Sequence, residues 1–163
     1  MAFSKQGLKE IQIKLERLRG LPQVADQELK AIAIEVKQTA KDMAPIDYGG
    51  LKKSIKIRRT GAQDSKTGRF VKGKSNYTVY IDNNTPTQGR KEKTVGEYAW
   101  FIHEHMGWGA NKNVIMPSKK SIASGNGKDE VGGKFLDRAI FKYRTITNAR
   151  LNKVIKDFVN QKR

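Results

Sequence analysis

The chain has 163 residues, no cysteine, and 33 Lys and Arg against 16 Asp and Glu, a formal net charge of +17. That length suffices for one domain whose core needs no metal or disulfide, and the lack of cysteine excludes a disulfide framework, a thiolate metal site and a thiol nucleophile. The longest unbroken apolar run, Tyr98–Ile102, is too short to span a bilayer and the first six residues hold no apolar signal core, so a soluble protein of the cytoplasm with no membrane partner is expected.

In chain order, Leu8, Ile11, Leu15 and Leu18 trace one face of a helix over Ser4–Arg19, with Ser4 placed to cap it and Gly20 to stop it. This helix could form a hairpin with the next or lie on a neighbouring subunit. After Pro22, the apolar positions Leu29, Ile32, Ala33, Val36, Ala40 and Met43 predict a second helix over Val24–Asp42. Its outer face mixes Asp26, Glu28 and Glu35 with Lys30, Lys37 and Lys41, as a solvated surface would.

Between Met43 and Ile55 the period of the sequence changes. Pro45 restricts Ala44 to extended geometry and lacks the amide that a continuing helix needs. Asp47 can bond amides two or three residues on, and Gly49-Gly50 admits backbone angles closed to other residues. Ile55 and Ile57 then alternate with Lys56 and Arg58, which predicts a strand over Ile55–Thr60 paired with Tyr77–Ile81. The polar, glycine-dotted stretch Gly61–Ser75 reads as a projecting hairpin arm, its Lys66, Arg69, Lys72 and Lys74 recurring every two or three residues. Residues 46–82 carry nine basic side chains against three acidic ones. Such an excess attracts polyanions by releasing condensed counterions, so Lys52, Lys53, Lys56, Arg58, Arg59, Lys66, Arg69, Lys72 and Lys74 are candidate contacts to DNA or to an acidic partner.

Asn83–Gly96 reads as a second long polar connection. Glu97–Met106 supports two patterns: Tyr98, Trp100, Ile102 and Glu104 alternate as in a strand, whereas Tyr98, Phe101, Ile102 and His105 share a helical face. The strand, returning the chain to the sheet, is the expectation. Gly107–Asn111 ends it in a loop, and Trp100 and Trp108 are candidate subunit-interface residues. Pro117–Gly133, rich in Ser, Gly and Lys, reads as a loop. Apolar residues from Phe135 to Phe158 predict a long helix over Lys134–Asn160, and residues 134–163 hold nine basic side chains against two acidic ones. Arg150 falls inside its apolar stripe, so either its stem lies over the core with the charge in water or the helix bends near Thr145–Asn148.

The one cluster that resembles a chemical site is His103-Glu104-His105. On a strand the two imidazoles would share a face as a metal pair, but the sequence offers no third ligand at motif spacing, so packing roles are favoured. Ser54 has no base at a recognisable spacing and reads as a turn hydroxyl; Asp42 and Asp47 serve turn and cap roles. No enzyme, cofactor or metal is expected.

The corner also carries a resemblance. Ala44, Pro45, Asp47, Gly49, Leu51, Ser54 and Ile55 are similar to the Ala-Pro-Val-Asp-Thr-Gly-x-Leu-x-x-Ser-Ile signature of the neck or tail-completion family of long-tailed double-stranded DNA bacteriophages, with Tyr48 where Thr is usual. Tyr98–Glu104 and Phe135–Ala139 resemble two later family segments in the same order. The resemblance implies a structural virion protein, assembled in the host cytoplasm as a six-fold ring of identical subunits. That ring would sit between the head connector or stopper and the tail terminator or tail tube, around the path of packaged DNA touched without sequence specificity. The expected fold is one α+β domain over residues 1–163: a small, mostly antiparallel sheet of three to four strands against two long helices, with the N-terminal helix and long basic loops. Two rivals stand beside this reading: a stand-alone basic nucleic-acid-binding protein, and a metal-dependent hydrolase built on His103 and His105.

Overall fold

A computed structural model of the chain describes residues 20–46, 50–63, 66–67, 70–87, 94–107, 116–125 and 131–161. The expected first helix, together with Asp47, Gly49, Arg69 and Trp108, lies outside the described residues. The fold is α+β: helix α1 (Leu21–Met43), a short helix α2 (Gly50–Ser54), strands β1 (Ile55–Gln63) and β2 (Phe70–Ile81), and helices α3 (Val95–His105), α4 (Lys119–Ala123) and α5 (Phe135–Gln161).

α1 begins with Pro22 in its first turn, where a missing amide costs nothing. It ends where Pro45 dictates: Ala44 is extended at φ −71°, ψ 133°, and its amide closes the helix on the Ala40 carbonyl at 2.9 Å. The buried side chains Ile32, Ala33, Val36, Ala40 and Met43 recur at helical spacing and face the core. The chain does not pass straight from corner to strand. A single turn of helix, α2, intervenes and buries Leu51 and Ser54 before Ile55 opens β1.

β1 and β2 pair antiparallel in the register Ile55↔Ile81, Ile57↔Val79 and Arg59↔Tyr77, with an irregularity between Gly61 and Gln63. Both strands run past their expected ends, and Gln63 pairs with Phe70. Among the described residues the sheet has two strands, not three or four. The segment expected to supply another, Glu97–Met106, is helical in α3 up to His105, with Met106 its extended cap. Val95 and Ala99 are buried there and Ile102 packs beside them, a spacing of four and three that only a helix places on one face, so tertiary burial overrides the local alternation.

α5 lies antiparallel to α1. Gly20 adjoins the Phe158 ring at one end, Arg150 meets Glu28 and Glu35 in the middle, and the Thr39 hydroxyl lies 3.3 Å from the Tyr143 hydroxyl beyond them. α5 is continuous through Arg150, whose guanidinium, still partly exposed, is held by two carboxylates of α1. Phe135, fully buried at the start of α5, joins Met43, Ala44, Leu51, Ile55, Val95 and Ala99 in one core. Truncating such a ring to alanine costs about 3–5 kcal/mol. α5 enters this core through a tight junction. Lys134 is left-handed at φ 53°, its amide donates to the His103 carbonyl at 2.7 Å, and a Cβ on Gly133 would lie 2.0 Å from the Met106 carbonyl oxygen. The Lys134 amide leading into α5 thus satisfies a carbonyl near the end of α3.

Candidate interaction surface

The corner is a structural hub. Ala44, Pro45, Leu51, Ser54 and Ile55 are buried, and the Ser54 hydroxyl donates to the Leu51 carbonyl at 2.7 Å, which fills the role of a turn hydroxyl. The backbone freed by Pro45 finds its partners far along the chain. The Met43 carbonyl accepts from Gly132 N–H at 2.9 Å, and the Ser121 hydroxyl accepts from Ile46 N–H at 3.0 Å while donating to the Ile46 carbonyl at 2.6 Å. Ser118 caps α4 by accepting from Ser121 N–H, which fixes that hydroxyl in place. Sequence reading missed Ser121, because a serine in a polar loop carries no sign of a partner 75 residues away.

The candidate cations divide into groups. Lys52 turns inward, 3.4 Å from the Ser124 carbonyl and 3.3 Å from its hydroxyl, and burial lowers its pKa despite the nearby Asp42. Arg59 faces α1 and pairs with Asp26 at 2.9 Å, alongside the Tyr77 hydroxyl, which donates to the same carboxylate at 3.3 Å. Burial first, then the Asp26 charge, raises the Tyr77 pKa. Lys56 and Arg58 alternate onto the opposite face: Lys56 pairs with Asp82, and the Arg58 guanidinium lies over the Tyr80 ring at 5.3 Å. The hydrogen bond from Lys56 holds the Asp82 carboxyl below its usual range, and the same bond raises Lys56. Lys53 and Lys66 are exposed. The side chains of Lys72 and Lys74, like Arg69, lie outside the described structure.

Trp100 is 65% exposed and meets His105 edge-on at 5.5 Å; its neighbour Phe101 stacks obliquely on the same imidazole at 5.0 Å. Across a shallow depression floored by Val79, Ile81 and Leu136 stands Ile140 of α5, 52% exposed, followed by Phe141 at 74%. Scattered exposed apolar residues are ordinary, whereas here Trp100, Phe101, Ile140 and Phe141 are exposed on two adjoining helices.

The helical form of α3 parts the two histidines. His103 packs edge-on against Phe135 at 5.3 Å and its Nδ1 meets Glu104 at 2.9 Å, whereas His105 sits with the exposed aromatics. Glu104 is held below the usual carboxylate range by its hydrogen bond from Lys134 and, next, by His103. Among the described residues no group of three His, Asp or Glu is arranged to hold a metal ion, and no helix is long and apolar enough to cross a membrane.

Comparison with curated proteins returns no match, and neither does comparison with solved structures. A family model described as "Bacteriophage HK97-gp10, putative tail-component" matches residues 9–102, more than half of the chain and a stretch that runs from before α1 through the corner and both strands into α3. The chain belongs to this HK97-gp10-like family of bacteriophage tail components.

Proposed function

We propose that the protein is a structural subunit of the phage neck, assembled as a closed ring that joins the head connector to the tail and surrounds the path of the DNA. The observation that carries this reading is the exposed apolar surface of α3 and α5, where Trp100 and Ile140 line one depression and their chain neighbours Phe101 and Phe141 are also open to solvent, in a chain of a tail-component family. Copies would meet there, since a heterologous contact that closes on itself buries such a face in every subunit. A six-fold ring is the proposed stoichiometry. The outward cations Lys53, Lys56 and Arg58 would then line the lumen or face an acidic neighbouring ring, touching DNA sparsely so that it can slide. The rival reading, a stand-alone nucleic-acid-binding protein, rests on net charge. Several of those charges are engaged within the chain: Arg59 by Asp26, Lys134 by Glu104, and Arg150 by Glu28 and Glu35. Deleting the gene tests the joining role. Filled heads accumulating beside separate tails are expected; intact virions at normal yield would contradict it.

A further inference from the structure

Among the described residues the sheet ends in an open edge along β2. The Asp82 amide donates to the Ser54 carbonyl at 2.8 Å, which fixes the phase of the antiparallel ladder. Residues 76, 78, 80 and 82 therefore turn their backbone groups toward β1, and Tyr77, Val79 and Ile81 turn theirs away. Among the described residues those three outward amides and carbonyls have no hydrogen-bond partner. Natural edges are usually blunted by charge, proline or a bulge, yet Asn76–Ile81 contains neither a charged residue nor a proline, and its ladder is regular.

This edge borders a groove of about 530 Å³ in which Ile32 and Val36 of α1 make the floor and Ile140 and Tyr143 of α5 the far wall. A two-stranded sheet is marginal alone, and a third strand laid along β2 would complete its hydrogen bonding while dropping alternate side chains into the groove. The charged residue on the rim is Arg144, and the chain carries +17 in all. With Arg144 lining the groove in a chain of +17, a negative segment complements this edge better than a basic one from a second copy.

We propose that β2 is a docking edge for an extended, alternately apolar and acidic segment of a different virion protein, added as a further antiparallel or parallel strand. This proposal rests on the tail-component family and is independent of whether the subunits form a ring.

Val79→Pro tests it, because proline at 79 removes an outward donor and leaves the bonds to β1 in place. Val79→Thr controls for the lost side chain, and thermal melting with far-UV circular dichroism checks that both variants fold. In complementation of a deletion phage, V79P should fold yet enter virions at least tenfold less than V79T, which should assemble normally. Normal incorporation of folded V79P would overturn the proposal. So would equal failure of V79T, which would assign the effect to packing. The cysteine-free chain allows a second measurement: Thr78→Cys, exposed beside the edge, carries a unique photo-crosslinker into virions. A crosslink to an acidic segment of another protein is expected. A crosslink to a second copy of this chain, or a nearby segment without net negative charge, contradicts the stated occupant. Should V79P itself misfold, the crosslink alone decides.

Discussion

The Ser121 hydroxyl takes both backbone groups of Ile46, donating to its carbonyl at 2.6 Å and accepting from its amide at 3.0 Å. A single side chain thereby satisfies the segment that Pro45 has removed from any helix, in a position where Ser121 is 2% exposed. Replacing it with alanine leaves two polar groups without partners, so Ser121→Ala should cost about 1–3 kcal/mol. For a domain of this size that corresponds to a fall in Tm of roughly 2–12 °C, measurable by differential scanning calorimetry. An unchanged Tm would show that the corner does not depend on this hydroxyl.

The entry to α5 predicts a sharper contrast between two glycines. Gly133→Ala would set a Cβ 2.0 Å from the Met106 carbonyl oxygen, a backbone atom that cannot swing aside, while Gly20→Ala meets only the Phe158 ring edge at 3.2 Å. The first should fall among the exceptional destabilisations, above about 4 kcal/mol, and yield little soluble protein. The second should fold, with a Tm within a few degrees of the parent.

The two faces of β1 should respond differently to loss of charge. Arg58→Gln removes an outward cation, so titration with duplex DNA across salt concentrations should show a slope smaller by about 1, with a fall in Tm of at most about 4 °C from the lost contact with the Tyr80 ring. Arg59→Gln removes a cation already engaged by Asp26. It should leave the salt slope unchanged and lower stability by at most about 1 kcal/mol, as expected for a partly exposed pair. Equal effects of both on DNA binding would refute the assignment of faces.

Two exposed pairs predict the pH profile. Asp82 and Glu104 titrate below their ordinary values, held there chiefly by hydrogen bonds from Lys56 and Lys134. A carboxylate whose folded pKa is depressed stabilises the fold above its unfolded pKa, near 4, and loses that contribution as pH falls through the folded value. Lys56, raised by the same bond to Asp82, gives stability that is present below its unfolded pKa near 10.4 and is lost as pH rises through the folded value. Asp82→Asn should therefore flatten both the acid and the alkaline limbs of Tm against pH, and Glu104→Gln the acid limb alone. A parent-like profile in D82N would contradict this.

The helix-to-strand corner was legible because Pro45 acts locally: it dictates the geometry of Ala44 whatever the rest of the chain does. The short helix at Gly50–Ser54 was not, since one turn leaves no periodic trace. At Glu97–Met106 the sequence satisfies both periods, and the choice was made by Ala99, whose small side chain lets α3 approach the core closely while Trp100 stays outside. Arg150 looked misplaced in its apolar stripe because its partners belong to another helix. The signal was present in Glu28 and Glu35, seven residues apart and so two turns apart on one side of α1. The links from Ser121 to Ile46 and from Gly132 to Met43 depend on tertiary approach alone, and no single-sequence pattern marks them.

Cryo-electron microscopy of the neck in intact particles should show a closed ring of this chain between connector and tail, with Trp100 and Phe101 of each copy buried against the next. Density for the chain elsewhere in the virion, or as isolated copies with those aromatics open to solvent, would contradict it.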